Sequence, residues 1–266
     1  MNNKNKICLY NKKKIKKEKN KLIIYQLILL LSFLTIWELL AYYNVINTFI
    51  FSKPSDIFSL LIEYIKTNEI FRHIKVSVIE TLLGIIIGTL LGIIIAIILW
   101  YFDTFQKILN PFLNVLNALP KTALAPIMII WAGTGISGIV VVAISILLII
   151  TVLSTYNYFK TVDPEKIRML ESFKATKLQI FYKFIFPSNI KNIFNVIKIN
   201  VGMAWVGVIV GEFLVSKEGL GYLIMYGGQV FKLDLVMMGV IVLAILAFFM
   251  SALIELIENK LLKGRD

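Results

Sequence analysis

The sequence predicts an all-α integral membrane protein with about six transmembrane helices, and three observations carry that expectation. The 266 residues are 58% hydrophobic and only 17% charged, where a soluble domain has about 45–50% and about 25%. The apolar residues fall into runs of about 20 or more, the length a helix needs to cross a hydrocarbon core of about 30 Å. The basic residues, which give a net charge of +12, gather in particular stretches between those runs. Lys and Arg accumulate in this way on the cytoplasmic side of a membrane. The charge is therefore assigned to topology rather than to nucleic-acid binding.

Residues 1–21 form a basic tail with nine lysines and Glu18 as its only acid. It reads as solvated chain that draws anionic lipid at about 1 kcal/mol per basic residue. The first span, 22–43, is too long for the core of a signal peptide, which is about 7–15 residues. Glu38 lies near its far end, either as a functional intramembrane acid or at headgroup level beside Tyr42 and Tyr43. Residues 44–75 read as an amphipathic helix on the membrane surface. Pro54 marks its turn, Ser55 is a candidate cap, and Phe58, Leu61, Ile62 and Ile65 share one helical face. Its charges nearly balance, which places it outside. His73, the single histidine, reads as interfacial.

The second span, 77–101, carries Gly84, Gly88 and Gly92 at intervals of four, a spacing that lets helices pack closely within one chain. The third, 112–133, contains Pro120 and Pro126 with Lys121 between them. Proline removes a backbone hydrogen bond and bends a helix. The bend is either a simple kink or a break beside a water-filled path. The fourth span is 138–159. A basic polar stretch, 160–191, leads to the fifth, 193–214, which enters through Lys198 and leaves at Glu212. A glycine-rich segment precedes the sixth span, 235–257, and the tail 258–266 carries Lys260, Lys263 and Arg265. Six spans put both ends on one side. The basic tail, the 160–191 stretch and the C-terminal tail then face the cytoplasm, and 22–257 is one multi-pass domain in the cell membrane.

The stretch after the fourth span reads TVDPEKIRMLESFKATKLQIFYKFIFPSNIKNIF. Asp163 and Pro164 open a helix, with Glu165 in its first turn where an acid complements the helix dipole. Ile167, Leu170, Phe173 and Leu178 form one apolar stripe. Ile180, Phe181, Phe184 and Ile185 form another, with Ala175 and Thr176 between them and Pro187 opening the next helix. The shape is a short helix, a turn and a short helix lying along the cytoplasmic face.

Several chemistries are excluded. One cysteine, Cys8, allows no internal disulfide, and no Cys/His cluster supplies the four ligands of a structural zinc site. No titratable cluster at one depth suggests an enzyme, so no catalytic residue is assigned. No G-x-x-x-x-G-K-[ST] phosphate loop occurs, so any ATP and Mg²⁺ would be bound by a separate polypeptide. A secondary transporter working alone is the alternative. It would carry paired intramembrane acids and an inverted repeat, and neither is read here.

Three segments resemble the permease subunits of binding-protein-dependent ATP-binding-cassette importers. LNALPKTALAPIMIIWAGTG (116–135) is similar to the family's Pro-x-x-Ala-x-x-Pro run followed by Trp-x-Gly-x-Gly. GMAWVGVIVGEFLVSKEGLGYLI (202–224) resembles the nitrate, sulfonate and taurine branch. VDPE at 162–165, the run at 175–181 and the spacing to Pro187 resemble the family's cytoplasmic loop. That loop's Glu-Ala-Ala falls on Arg168, Met169 and Leu170 and its Gly on Lys174, so the signature residues are absent. The branch often has a basic residue where this chain has Glu80.

The resemblance implies a permease, paired with a second copy as a homodimer, that forms a path for a small solute such as a sulfonate, taurine or nitrate. It implies a cytoplasmic ATPase docked on a coupling loop, for which Asp163, Pro164, Glu165, Glu171, Lys174, Ala175, Thr176, Phe181 and Pro187 are candidates. An extracytoplasmic solute-binding protein would deliver the solute. Pro120, Pro126, Trp131, Asn200, Met203 and Glu212 are candidates for lining the path.

Overall fold

The structure, a computed structural model, describes residues 3–263, with the side chains of residue 18 and of 20–263. The helix α1 (Asn3–Tyr42) joins most of the expected basic tail to the first span in one continuous element. The tail's lysines up to position 17, and Lys19, lie outside the described side chains. Two shorter helices follow, α2 (Thr48–Phe51) and α3 (Pro54–Lys66). Ser55 does not cap α3. The cap position is Lys53, whose side chain makes no capping hydrogen bond. Instead Glu38 reaches over from α1 and accepts hydrogen bonds from the Ser55 N–H (3.0 Å) and Oγ–H (2.8 Å). Glu38 thus supplies negative charge to a helix N-terminus from a neighbouring helix. Of the apolar face expected at the membrane surface, only Leu61 of α3 turns to the body. Ile57, Leu60, Leu61 and Tyr64 pack on the body, while Phe58, Ile62 and Ile65 stay exposed.

The next helix, α4 (Glu69–Tyr101), begins at Glu69 rather than at residue 77. After the non-helical Phe102 come α5 (Asp103–Ala118), a 3₁₀ turn at Lys121–Leu124, and α6 (Ala125–Ala132). These are followed by α7 (Ile136–Lys160). Three short helices then cross the end of the bundle, α8 (Pro164–Ser172), α9 (Lys177–Ile180) and α10 (Phe186–Ser188), the last two joined by a π-helical turn at Phe181–Ile185. The chain closes with α11 (Ile190–Val215), α12 (Leu220–Gln229) and α13 (Leu233–Leu262). The last helix runs five residues into the expected tail, of which 264–266 lie outside the described residues.

Glycines decide how the centre packs. A Cβ on Gly84 would stand 3.0 Å from Ala143 Cβ. One on Gly88 would strike Leu147, and one on Gly92 would stand 2.5 Å from Thr151 Cγ2. Each step of four along α4 meets a step of four along α7 in the same direction, so these neighbours are parallel. The pairing against α11 runs the other way: Gly207 meets Ala143 and Gly211 meets Ile139. Close helix approach without side chains between is how small residues stabilise membrane bundles.

Two adjacent parallel helices require the chain to travel back between them. The pair α5–α6 makes that return, with an 86° bend between Asp103–Ala118 and Lys121–Ala132. The expected third span, 112–133, is therefore not a kinked helix but the second part of a broken element that begins at Asp103. Leu119 takes an extended conformation, φ −66° and ψ 137°, as a residue before proline is pushed to do, and Pro120 and Pro126 prevent the helix from simply resuming. Among the described residues five unbroken helices are long and apolar enough to cross a membrane, or six where the bent pair counts as one span. The chain is a multi-pass membrane protein.

Candidate functional site

Two polar regions lie at opposite ends of the bundle, and the first is the α8–α10 loop. Asp163 caps α8 by accepting from the Glu165 N–H at 3.0 Å, and Pro164 fills the first helical position, where its missing N–H costs nothing. The helix ends in a turn at Phe173–Ala175. Lys174 stands there at φ +58°, the left-handed conformation that glycine adopts freely and an L residue at about 1–2 kcal/mol. The position where the resemblance expects glycine thus keeps the glycine geometry with a lysine. Thr176 then starts α9 with a capping box: its hydroxyl accepts from the Gln179 N–H at 3.3 Å, and the Gln179 side chain accepts from the Thr176 N–H at 2.9 Å.

The apolar side chains of this loop divide differently from the two expected stripes. Ile167 and Leu170 pack inward with Ile180, Phe181 and Ile185. Phe173, at 76% exposure, points away from the bundle together with Met169, Leu178 and Tyr182. A groove of about 470 Å³ runs beside them, lined by Met169, Phe173, Lys174, Ala175, Gln179 and Lys183 among others. Of the expected loop residues, Asp163, Pro164, Glu165, Glu171, Lys174, Thr176 and Pro187 are exposed and Ala175 is half-buried.

Phe181 is buried, and it ties the loop to the spans. Its ring packs against Phe159 at the end of α7 (5.3 Å between centroids), Trp100 at the end of α4 (5.1 Å) and Phe186 (6.0 Å). The π-helical turn, closed by Phe186 N–H to Phe181 C=O, lets Phe181 and Ile185 both face inward. A second tie is Lys177, whose Nζ donates to the Tyr101 carbonyl (2.7 Å) and to Asp103 Oδ2 (3.1 Å). Sequence reading passed over Lys177, although T-K-L-Q is a legible capping-box pattern.

At the other end, the side chains of α4 and α11 cap α12. The Gly219 N–H donates to His73 Nδ1 (2.9 Å), the Leu220 N–H to Ser77 Oγ (2.8 Å) and the Gly221 N–H to Glu212 Oε2 (2.5 Å). Ser77 in turn donates to Glu212 Oε1 at 2.5 Å. These N–H groups at the start of a helix have no partner within it, and the side chains of α4 and α11 supply one. The Gly-Leu-Gly run has a steric reason as well. Gly219 sits at φ +113°, and the Glu212 carboxylate occupies the space where a Cβ would project from Gly219 or from Gly221. His73 also stacks on Tyr222 (centroids 6.0 Å apart, planes at 14°). In the first turn of α4, Arg72 pairs with Glu218 of the α11–α12 turn, whose carboxyl is held below its ordinary range, first by that hydrogen bond and then by the arginine's charge.

Glu80, on α4, is buried beside Glu212. The sequence showed no pair of intramembrane acids; the structure brings these two together from positions 132 residues apart (212 minus 80). Glu80 Oε2 has no protein partner among the described residues.

The six residues expected along a path are scattered. Asn200 is wholly buried, donating from Nδ2 to Thr89 Oγ1 (2.8 Å) and accepting at Oδ1 from Thr151 Oγ1 (3.1 Å), so it joins α4, α7 and α11. Glu212 belongs to the α12 cap, and Met203 packs between two apolar clusters. Pro120, Pro126 and Trp131 lie exposed on the bent pair, Trp131 at 82%. Lys198, the expected entry to the fifth span, forms an ion pair with Glu258 of α13.

Comparison with known proteins agrees with this arrangement of spans and loop. The profile of a family described as "Binding-protein-dependent transport system inner membrane component" matches residues 88–263. A protein of Bacillus subtilis named as an aliphatic sulfonates transport permease, SsuC, is 28% identical over 88% of this chain and 84% of its own length. The taurine transport system permease protein TauC of Escherichia coli is 23% identical over 86% and 85%. Among solved structures, a chain of the inward-facing MetNI methionine ABC transporter superposes with a TM-score of 0.55. It is 14% identical and covers 74% of this chain and 94% of that one, a likeness of fold.

Proposed function

Because the chain belongs to the family of binding-protein-dependent transport system inner membrane components, and to its nitrate, sulfonate and taurine branch, we propose that it is the membrane subunit of an ATP-driven importer of a small sulfonate-like solute. It is a transporter component and not an enzyme. Two copies pair around the path, with both chain ends and the α8–α10 loop in the cytoplasm. The loop docks in a groove of a separate ATPase, and an extracytoplasmic binding protein delivers the solute to the α12 end. Taurine and alkanesulfonates are the solute class that the names of the similar proteins support.

The observation that carries this reading is the outward apolar face of the loop. Met169, Phe173, Leu178 and Tyr182 are exposed beside a groove at the end of the bundle where basic residues concentrate. Exposed aromatic anchors of this kind are what a protein partner buries at the centre of an interface. Phe181 and Ala175 hold the loop's shape from behind. The path is proposed along the bent pair, with Pro120, Pro126 and Trp131 facing the second copy. Glu80 and Glu212 are a feature that a proton-driven transporter working alone would share; the Gly221 N–H and the Ser77 hydroxyl that Glu212 accepts support reading it as a cap.

A membrane pull-down tests the reading. The intact chain recovers a cytoplasmic ATPase subunit, and Phe173→Glu or Leu178→Glu loses it, because both side chains are exposed and neither change disturbs the loop's inner packing. Equal recovery by the intact chain and both variants removes the loop from the interface. No recovery with the intact chain overturns the ATP-driven reading.

A further inference from the structure

Resting on the loop's role as the ATPase dock, we infer that Lys177 is the positioning residue that ties the loop to the broken span. Three observations meet at this side chain. First, one ammonium group serves both sides of a joint. It donates to the carbonyl of Tyr101, the last residue of α4, and to the carboxylate of Asp103, the first residue of α5. It also lies over the Trp100 and Tyr101 rings, 5.4 and 5.5 Å from their centroids. The Tyr101 carbonyl has no acceptor role within its helix, and a cation there complements the helix's negative end.

Second, only Phe102 separates the two helices, at φ −108° and ψ 88°, so the direction in which α5 leaves turns on one residue. Third, α5 has no buried residue, and packing alone fixes its direction weakly. Room exists for movement: a cavity of about 360 Å³ lies between joint and loop, lined by Trp100, Asp103, Ile167, Glu171, Ala175 and Ile180 with Lys177. Lys177 starts α9, the helix that follows the exposed turn. A shift of α8 and α9 therefore moves Nζ, and with it the first residue of α5. That helix leads directly into the 86° bend and the exposed Trp131.

The tie is geometric rather than a major source of stability. Lys177 and Asp103 side chains are 42% and 78% exposed, and an exposed ion pair adds little to stability. Its loss leaves the fold intact and cuts transmission, which separates a positioning role from a merely structural one.

The test is hydrogen exchange on the complex of the full chain with its co-purified ATPase in lipid nanodiscs, with and without a non-hydrolysable ATP analogue. In the wild type the analogue changes exchange in both the loop (164–188) and α5 (103–118). In Lys177→Met the loop still responds, and the α5 response falls about 2- to 30-fold, the range over which single residues modulate coupling. Lys177→Arg restores it, since a guanidinium reaches both a carbonyl and a carboxylate. An α5 response in Lys177→Met equal to the wild type overturns the inference and leaves the docking loop standing. A loop that does not respond in the wild type overturns both.

Discussion

Removing the Glu212 carboxylate tests whether this residue is a cap or part of a path. It accepts the Gly221 N–H and the Ser77 hydroxyl, each at 2.5 Å, and Ser77 accepts the Leu220 N–H at 2.8 Å. In Glu212→Ala, the buried Gly221 N–H and Ser77 hydroxyl lose their acceptor. Each such orphan costs about 1–3 kcal/mol, so the loss is about 2–6 kcal/mol. Glu212→Gln keeps one acceptor oxygen and loses about half of that. Gly221→Ala attacks the same contact from the other side, placing a Cβ 2.8 Å from Glu212 Oε2 and 3.1 Å from the Ile209 carbonyl, at about 1–3 kcal/mol for overpacking. The carboxylate is one of three close contacts, and Glu212 Cβ at 2.9 Å and the Ile209 carbonyl remain in Glu212→Ala, so Gly221→Ala costs somewhat less in that background than in the wild type, as coupled neighbours require.

The assay is thermal unfolding in nanodiscs followed by the fluorescence of buried Trp205, with hydrogen exchange of α12 read alongside. The expected order of stability is wild type, then Glu212→Gln, then Glu212→Ala. A Glu212→Ala protein within about 1 kcal/mol of the wild type, with α12 amides equally protected, would refute the capping role. Altered uptake in that same protein would then return Glu212 to the path. If Glu212→Ala does not fold, Glu212→Gln and Gly221→Ala carry the comparison.

Other outcomes follow from the same geometry. Lys174→Gly relieves the left-handed strain at φ +58° and raises loop stability by about 1 kcal/mol, read as slower exchange of the α8 amides; unchanged or faster exchange counts against the strain. Gly207→Ala places a Cβ against the Ala143 backbone and costs about 1–3 kcal/mol, whereas Gly202→Ala, with nothing within 4 Å, is neutral or mildly stabilising in the same melting assay. Glu218 has a depressed folded-state pKa, so its pairing with Arg72 adds stability above the ordinary carboxylate range and loses it as pH falls through that depressed value. Arg72→Ala should flatten this part of the acid melting profile, and a profile parallel to the wild type would show that the pair adds nothing.

Local patterns carried much of the fold. The apolar runs, the helix start at Asp163-Pro164 and the glycine spacing of the second span were all legible, because each depends on residues within a turn or two of one another. The direction of that glycine packing was not. Only the pairing of Gly84, Gly88 and Gly92 with Ala143, Leu147 and Thr151 shows α4 and α7 to be parallel, and hence that the residues between them must cross back. The bend in that return was half legible: Pro120 and Pro126 announced a disturbance, while its size, 86°, and its start at Asp103 depended on how α5 leaves α4.

The polar residues divide in the same way. Thr176 and Gln179 cap their own helix, and their four-residue pattern is readable in any sequence. Glu38, Asn200 and Glu212 could be noted only as polar groups in apolar surroundings, a condition common to path, cap and packing contacts. By itself the sequence determined which segments enter the membrane and which stretch lies across the bundle's end, because hydropathy and turn chemistry are properties of neighbours along the chain. The tertiary structure alone decided what each buried polar group does. A hydrogen bond is defined by its partner, and the partners of Glu38, Lys177, Asn200 and Glu212 lie on other helices, 9 to 135 positions away.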